Sequence, residues 1–219
     1  ADIKPILDHL KNILTDGNNE QYNYLLMWMA HIVQRPDVKT GVCCVFTSDQ
    51  GTGKNMFWNW FGESIIGREF YASYNDFDRI TGKFNSHLRK KLFCVLDECQ
   101  NYDGSYSNTQ DKLKNILTES YQAIEQKGVD GTEEYTYTNY VFLSNNSGCV
   151  KVELTNRRYA IFDVSNKYAY CEGKKDMIKT YFTKLYQCLN DDTAKSFYEY
   201  LMSINITNIK GIPSSKEGI

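Results

Sequence analysis

A chain of 219 residues, 42% of them hydrophobic, can bury one substantial core but leaves no room for a second full domain. A formal net charge of −2 excludes a global pull on polyanions, so nucleic-acid contact needs a local basic patch or several chains acting together. Seven cysteines without a CxxC pair, three histidines (His9, His31, His87) at no zinc-ligand spacing, and the lack of a bilayer-length apolar run or signal peptide point to a reduced, cytoplasmic protein without a structural metal.

The first element expected is a helix over residues 2–14, "DIKPILDHLKNIL", in which Ile3, Ile6, Leu7, Leu10, Ile13 and Leu14 share one face and which Asp16-Gly17 ends. A second helix runs from about Glu20 to just before Pro36 and packs its "YLLMWMAHIV" segment on the core. From Val42, "VCCVF" is a continuous apolar run suited to a buried parallel strand, followed by a polar glycine-containing loop and then helical spacing in "NMFWNWFGESII". "KLFCVLDE" (91–98) and "TNYVFLSNN" (138–146) read as two further strands of this kind. Between them "NTQDKLKNILTES" reads as a helix, and "YQAIEQKGVDGTEEYTYTNY" as two strands joined by a turn around Gly128 to Gly131. One more apolar strand follows Arg157-Arg158, and "KKDMIKTYFTKLYQCL" and "TAKSFYEYLMSI" read as helices. The pattern predicts an α/β fold: a three-layer sandwich with a central, mainly parallel sheet in a core over 39–170, an N-terminal helical segment over 1–38 and a C-terminal one over 171–219. The ends, "ADIKPIL" without a methionine and "PSSKEGI", lead us to expect a segment of a longer chain.

The loop "FTSDQGTGKN" (46–55) carries the strongest chemical signal. A loop that cradles phosphates needs inward-facing amides, glycines that permit the turn, a lysine for the outer phosphates and a helix starting behind it. Gln50, Gly51, Thr52, Gly53 and Lys54 meet those needs; Ser48 stands where a glycine is usual, and Asn55 where a Mg²⁺-binding hydroxyl is usual. An Asn carbonyl oxygen is also a hard ligand, able to reach the ion directly or through water. The bland alternative is a glycine-rich turn of any α/β protein. Asp97 and Glu98 end "KLFCVLDE", where an open sheet places its ligands: Asp97 suits a Mg²⁺ shell and Glu98 suits polarising a water for attack on a γ-phosphate. Asn145, with Asn146 as fallback, ends "FLSNN" and suits an amide that contacts both that water and the γ-phosphate. Arg157 and Arg158 suit stabilisation of a transferring phosphoryl group, often from a neighbouring subunit; the alternative is an ion pair with Asp163 or Glu153.

In order, "QGTGKN", "VLDE", "EQKG", "FLSNN" and "NRRYAIFDVS" resemble the superfamily 3 helicase domain of phage and viral primase-helicases and primase-polymerases, over about Tyr24 to Asn205. The resemblance implies an AAA+-like P-loop NTPase that binds ATP and Mg²⁺, with Lys54 at the phosphates, Asp97 and Glu98 in the metal and water roles, Asn145 as sensor and an arginine finger from Arg157-Arg158. Family members with Asn after the loop lysine make Asn55 a variant spelling; Asn156 departs from the family's usual Asp. The resemblance also implies a homo-hexameric ring moving along single-stranded DNA, no membrane partner, and a primase or polymerase domain elsewhere in the same longer chain. A channel loop would lie within 126–137, where Lys127 is the only cation and Asp130, Glu133 and Glu134 oppose phosphate contact, leaving Tyr135 and Tyr137 for stacking. The function expected is an ATP-dependent helicase or translocase module; the alternatives are a P-loop kinase and a nucleotide-dependent assembly module whose Asn55 weakens Mg²⁺ binding.

Overall fold

Strands that are apolar at every position need cover on both faces, and that requirement decides the architecture. The computed structural model of the chain describes residues 1–97, 106–145 and 157–206. In chain order its strands are β1 (Cys43–Thr47), β2 (Tyr71–Tyr74), β3 (Phe93–Leu96), β4 (Tyr121–Gln126), β5 (Val129–Tyr135), β6 (Asn139–Ser144) and β7 (Tyr159–Asp163). Five of them form one sheet in the order β2-β3-β6-β1-β7, with every pairing parallel. The antiparallel pair β4-β5 stands as a separate hairpin.

Side chains alternate between the two faces of a strand, so each central strand feeds two cores. Cys44 and Phe46 of β1, Phe93 and Val95 of β3, Val141 and Leu143 of β6 and Phe162 of β7 enter the first. Cys43, Val45, Cys94, Leu96, Tyr140, Phe142 and Tyr159 enter the second. Over the first face lie α1 (Lys4–His9, running into a wider π-type turn at Leu10–Leu14), α2 (Asn19–Gln34), α3 (Lys54–Trp60, with a similar turn at Phe61–Gly67) and α7 (Asp191–Ser203). The second face is covered by α4 (Asp78–Thr81) and α5 (Tyr106–Thr118) through Ile80, Leu113 and Leu117. The result is three layers, as expected. The last helix to be placed, α6 (Lys175–Cys188), packs on α1, while α2 packs on α7, so the terminal helices share one core with the sheet.

Local chemistry explains the helix limits. The Asn18 side chain accepts from the amides of Glu20 and Gln21 at 3.0 and 3.1 Å and so starts α2. Asn190 and Thr193 form a reciprocal cap at the start of α7. The Trp28 indole N–H donates to Val42 O at 3.0 Å and to Thr40 Oγ1 at 3.1 Å, fastening α2 to the start of β1. Among the described residues no helix is long and apolar enough to cross a membrane.

Two expectations need correcting. The edge strand β2, "YASY", was not among the expected strands, because its residues are half-exposed and offer no continuous apolar run. The hairpin turn falls at Lys127-Gly128 and not across Gly128 to Gly131: Gly128 alone takes φ +81°, while Val129 to Gly131 already belong to β5.

The strand order also creates a crevice. The chain leaves β1 toward the β2 edge, whereas it leaves β6 in the other direction, passing β1 to reach β7. Open α/β sheets bind ligands at such a switch point, outside the carboxyl ends of the strands. Here that is the gap beyond Thr47 and Ser144.

Candidate functional site

The loop after β1 is held at both sides. Ser48 N donates to Ser144 O at 3.2 Å, extending the β1-β6 pairing, and Asp49 N donates to Asn166 Oδ1 at 3.1 Å. Gly51 and Gly53 then take φ +83° and +87°, left-handed values that favour glycine and turn the chain back into α3. Among the described residues, nothing accepts from the backbone amides of Gln50, Gly51, Thr52 and Gly53.

Lys54, the first residue of α3, is only 5% exposed. A buried ammonium must be given acceptors. Its Nζ donates to Asn145 Oδ1 at 2.8 Å, Ser48 Oγ at 2.9 Å and Asp49 O at 3.4 Å. Lysine and amide, 91 residues apart in sequence, thus meet across the crevice. Next to them, Asn55 Nδ2 donates to Asp97 Oδ2 at 2.5 Å, joining the start of α3 to the end of β3. A carboxylate only accepts, so the amide nitrogen of Asn55 faces Asp97 and its carbonyl oxygen turns away. The carboxyl ends of β1, β3 and β6 therefore contribute to one place. A cleft of about 540 Å³ opens there, lined by Gln50, Gly51, Gly53, Lys54, Asn145 and Phe182 among others. Sites for small ligands fall in this size range.

The donor set fits a triphosphate better than a caged metal. Four amides without an acceptor among the described residues and an ammonium are all donors, as a polyanion requires. Among the described residues no group of three or more His, Cys, Asp and Glu gathers around a point. Asp97 and Asn55 offer oxygens enough for Mg²⁺ shared with phosphates and water, its usual mode of binding.

Several participants were not foreseen. Ser48, standing where a glycine is usual, accepts from Lys54 and lies 2.8 Å from Thr52 Oγ1, so its hydroxyl knits the loop together. Phe182 of α6 and His9 of α1 press on Gly53: a Cβ there would lie 2.6 Å from Phe182 Cε1 and 3.1 Å from His9 Cε1. His9 had one visible signal, a polar side chain on the helix face of Ile6, Leu10 and Ile13, but nothing local to tell what it meets.

Of the remaining candidates, the described ones, Arg157, Arg158 and Lys127, lie elsewhere. Glu98 and Asn146 fall outside the described residues. Arg157 is exposed and Arg158 half-buried, both just before β7, where Cys43 N donates to Arg158 O at 2.8 Å. Because β7 pairs with β1 in the register Cys43 to Tyr159 and Thr47 to Asp163, the arginines stand at the amino end of the sheet. That is one strand length, roughly 13 Å, from the loop of their own chain. An ion pair with Asp163 is ruled out likewise, since Asp163 ends β7 and accepts from Thr47 Oγ1 at 3.0 Å; Glu153 falls outside the described residues. Lys127 is exposed at the hairpin tip. At the base of the hairpin Tyr121 and Tyr135 lie 3.9 Å apart between ring centroids, and Tyr135 is nearly parallel to Tyr137 at 4°.

The family described as "Family of unknown function (DUF5906)" matches residues 46–158, from the strand before the loop to the paired arginines. The DNA primase-polymerase of Nitratiruptor phage NrS-1 is 25% identical over 213 residues, covering 95% of this chain and 28% of its own length. Apo structures of the NrS-1 C-terminal region superpose with a TM-score of 0.77 at 24% identity, covering 98% of this chain and 48% of theirs, and, in the A form, with 0.70 at 23% identity, covering 95% and 47%. The likeness to these structures is one of fold, and the chain spans under half of each solved chain.

Proposed function

Since the chain belongs to the DUF5906 family, a family of unknown function, we propose on the strength of its cleft that it is an ATP-driven helicase or translocase module of a phage DNA replication protein, of the superfamily 3 kind. One observation carries this reading: a buried Lys54 meets Asn145 across a crevice whose bounding loop presents four amides that no acceptor among the described residues engages. Amides and an ammonium converging at a helix start are the groups that neutralise a polyphosphate. The replication context is supported by the phage primase-polymerase relative.

In this reading Lys54 exchanges the oxygens of Ser48 and Asn145 for those of the outer phosphates. Asn145, freed of the ammonium, turns its amide to the γ-phosphate and the attacking water. Asp97 and Asn55 would hold Mg²⁺, which would supply neutralisation of the phosphate charge. Glu98, next in the chain to Asp97, polarises the water for in-line attack. Arg157 or Arg158 stands too far along its own strand to act in the same chain, so the finger comes from a neighbour in a hexameric ring. The ATPase core is the 39–170 segment, with the helical segments 1–38 and 171–219 flanking it. Single-stranded DNA passes the hairpin, touching Lys127 and stacking on Tyr135 and Tyr137. A primase or polymerase domain belongs to the same longer chain.

The test is release of inorganic phosphate from ATP without any added acceptor. Lys54→Ala and Glu98→Gln should both lose nearly all turnover, because positioning and charge stabilisation are almost the whole of such catalysis. Turnover near the parental rate in either variant ends the assignment.

The hydrogen bond from Asn55 to Asp97 favours a second reading, a nucleotide-dependent assembly module. A carboxylate oxygen already engaged by an amide takes Mg²⁺ less readily, so nucleotide is held longer than it is hydrolysed. Asn55→Thr should then raise turnover; an unchanged or lower rate removes this reading.

A further inference from the structure

His9 lies on the core-facing side of α1 and is fully buried. A neutral imidazole has one donor and one acceptor to satisfy. Its Nδ1 is 2.8 Å from the Tyr181 hydroxyl of α6. Its Nε2 is buried and has no hydrogen-bond partner among the described residues. The carbon between these nitrogens, Cε1, sits 3.1 Å from where a Cβ on Gly53 would be, so the ring stands directly against the loop. Burial pushes the imidazolium down to about 4, while the Gly53 backbone pulls the other way, the sign expected of an acceptor facing the ring. Burial also raises the Tyr181 phenol, which keeps its proton. The consistent tautomer has Tyr181 donating to Nδ1 and the imidazole proton on Nε2, toward the Gly53 carbonyl.

Resting on the nucleotide reading of the cleft, we infer that His9, oriented by Tyr181, is a positioning residue that couples nucleotide binding to the terminal helices α1 and α6. The physical link is the peptide plane between Gly53 and Lys54. In a trans peptide the C=O and the following N–H point in opposite directions. Turning the Lys54 amide toward a phosphate therefore turns the Gly53 carbonyl away from it, toward His9. The carbonyl already accepts from Phe57 N at 3.2 Å and keeps a lone pair for a second donor. A hydrogen bond from Nε2 to that carbonyl polarises the peptide and strengthens its N–H as a donor, so the chain Tyr181, His9, Gly53, Lys54, phosphate is cooperative. A buried polar atom without a partner is costly, and the loop conformation that satisfies Nε2 is favoured for the same reason. By linkage, bound nucleotide tightens the contact between α1 and α6 as much as that contact tightens nucleotide binding.

The experiment titrates a fluorescent ATP analogue with Mg²⁺ into the 219-residue chain and its variants. Tyr181→Phe, which keeps the ring and deletes the hydroxyl, should weaken binding about 5-fold, the worth of one hydrogen bond. His9→Leu should weaken it at least as much, and the double variant no more than the worse single one, since both act through one chain of contacts. With ¹⁵N-labelled histidine, the His9 signals should report protonated Nε2 and shift when nucleotide is added, a readout that mere packing would not move. Lys54→Ala tests the nucleotide reading by itself: parental binding in that variant sinks both proposals. If Lys54→Ala loses binding while Tyr181→Phe binds like the parent and the His9 signals stay still, the coupling is overturned and the nucleotide site stands. Should His9→Leu fail to fold, Tyr181→Phe and the labelled parent still decide.

Discussion

The cleft and the β4-β5 hairpin are built by opposite means. At the cleft a lysine taken out of water is surrounded by acceptors from the residues that follow β1 and β6, and the glycine before it is wedged between rings of two helices. At the hairpin the ties lie in solvent: Arg89 grips Glu134 at 2.6 Å and Lys83 approaches Glu125 at 3.6 Å, while Tyr121 and Tyr135 remain half or more exposed. Water replaces a lost surface contact at little cost, whereas a buried group has no such substitute. The geometry of the cleft is therefore enforced by the core, whereas the hairpin is held by contacts that water can replace.

The largest break in this contrast is Lys54→Ala. Phosphate release should fall on the order of 10²- to 10³-fold, the loss typical of one preorganised donor. Next is the acid response of His9. Its folded-state pKa, about 4, lies below the ordinary value of 6.5, so between these pH values the unfolded chain binds a proton that the folded chain refuses. Stability is then full above 6.5 and declines as pH falls toward 4, by up to about 3 kcal/mol. His31, lowered by its own burial, acts in the same direction. Urea unfolding of the parent and of His9→Gln at pH 7 and 4.5 checks this: the variant should lose less on acidification, and equal losses contradict a buried neutral imidazole.

A matched pair of glycines sharpens the comparison further. Gly53 and Gly128 take nearly the same φ, +87° and +81°, but a Cβ at Gly53 would strike Phe182 whereas one at Gly128 meets nothing within 4 Å. Gly128→Ala should cost only the left-handed penalty, about 1 to 2 kcal/mol. Gly53→Ala should cost more by thermal unfolding, and adding Phe182→Ala should recover the excess. Equal shifts in Tm would mean that α6 does not press on the loop. The smallest effect belongs to Arg89→Ala. Arg89 holds the Glu134 carboxyl below its ordinary value of 4.5, so the pair contributes above that pH and fades as pH falls through the lowered value. The Tm difference from the parent should be slight at pH 7, smaller in high salt and smaller again as the solution is acidified below 4.5; a large, salt-independent loss would show the hairpin to be anchored like the cleft.

Much of the fold was legible because it is encoded locally. "VCCVF" and the "LFCVL" within "KLFCVLDE" are apolar without a break, which only a strand covered on both faces needs, and they became β1 and β3. The loop between Gln50 and Lys54 was readable from its glycines, whose positive φ values are demanded by the turn. The edge strand β2 was not, since a half-exposed "YASY" carries neither alternation nor continuity. Ser48 showed in the sequence only as a departure from the usual glycine, because a motif scores residue types by position, whereas its hydroxyl matters for the lysine it faces. The paired arginines were read correctly as adjacent to a strand, but their distance from the loop follows from parallel register, which a single strand does not reveal.

The sequence by itself determined the central strands, the long helices, and that a glycine-rich loop ends in a lysine at a helix start, because these depend on neighbours within a few residues. Only the tertiary structure decided that β6 inserts between β1 and β3 and brings Asn145 to Lys54, and that helices from the two ends of the chain close on Gly53. His9 and Tyr181 meet across 172 residues of sequence. Periodicity says that a helix has a face to bury, but which surface receives it is settled by packing among all the layers at once.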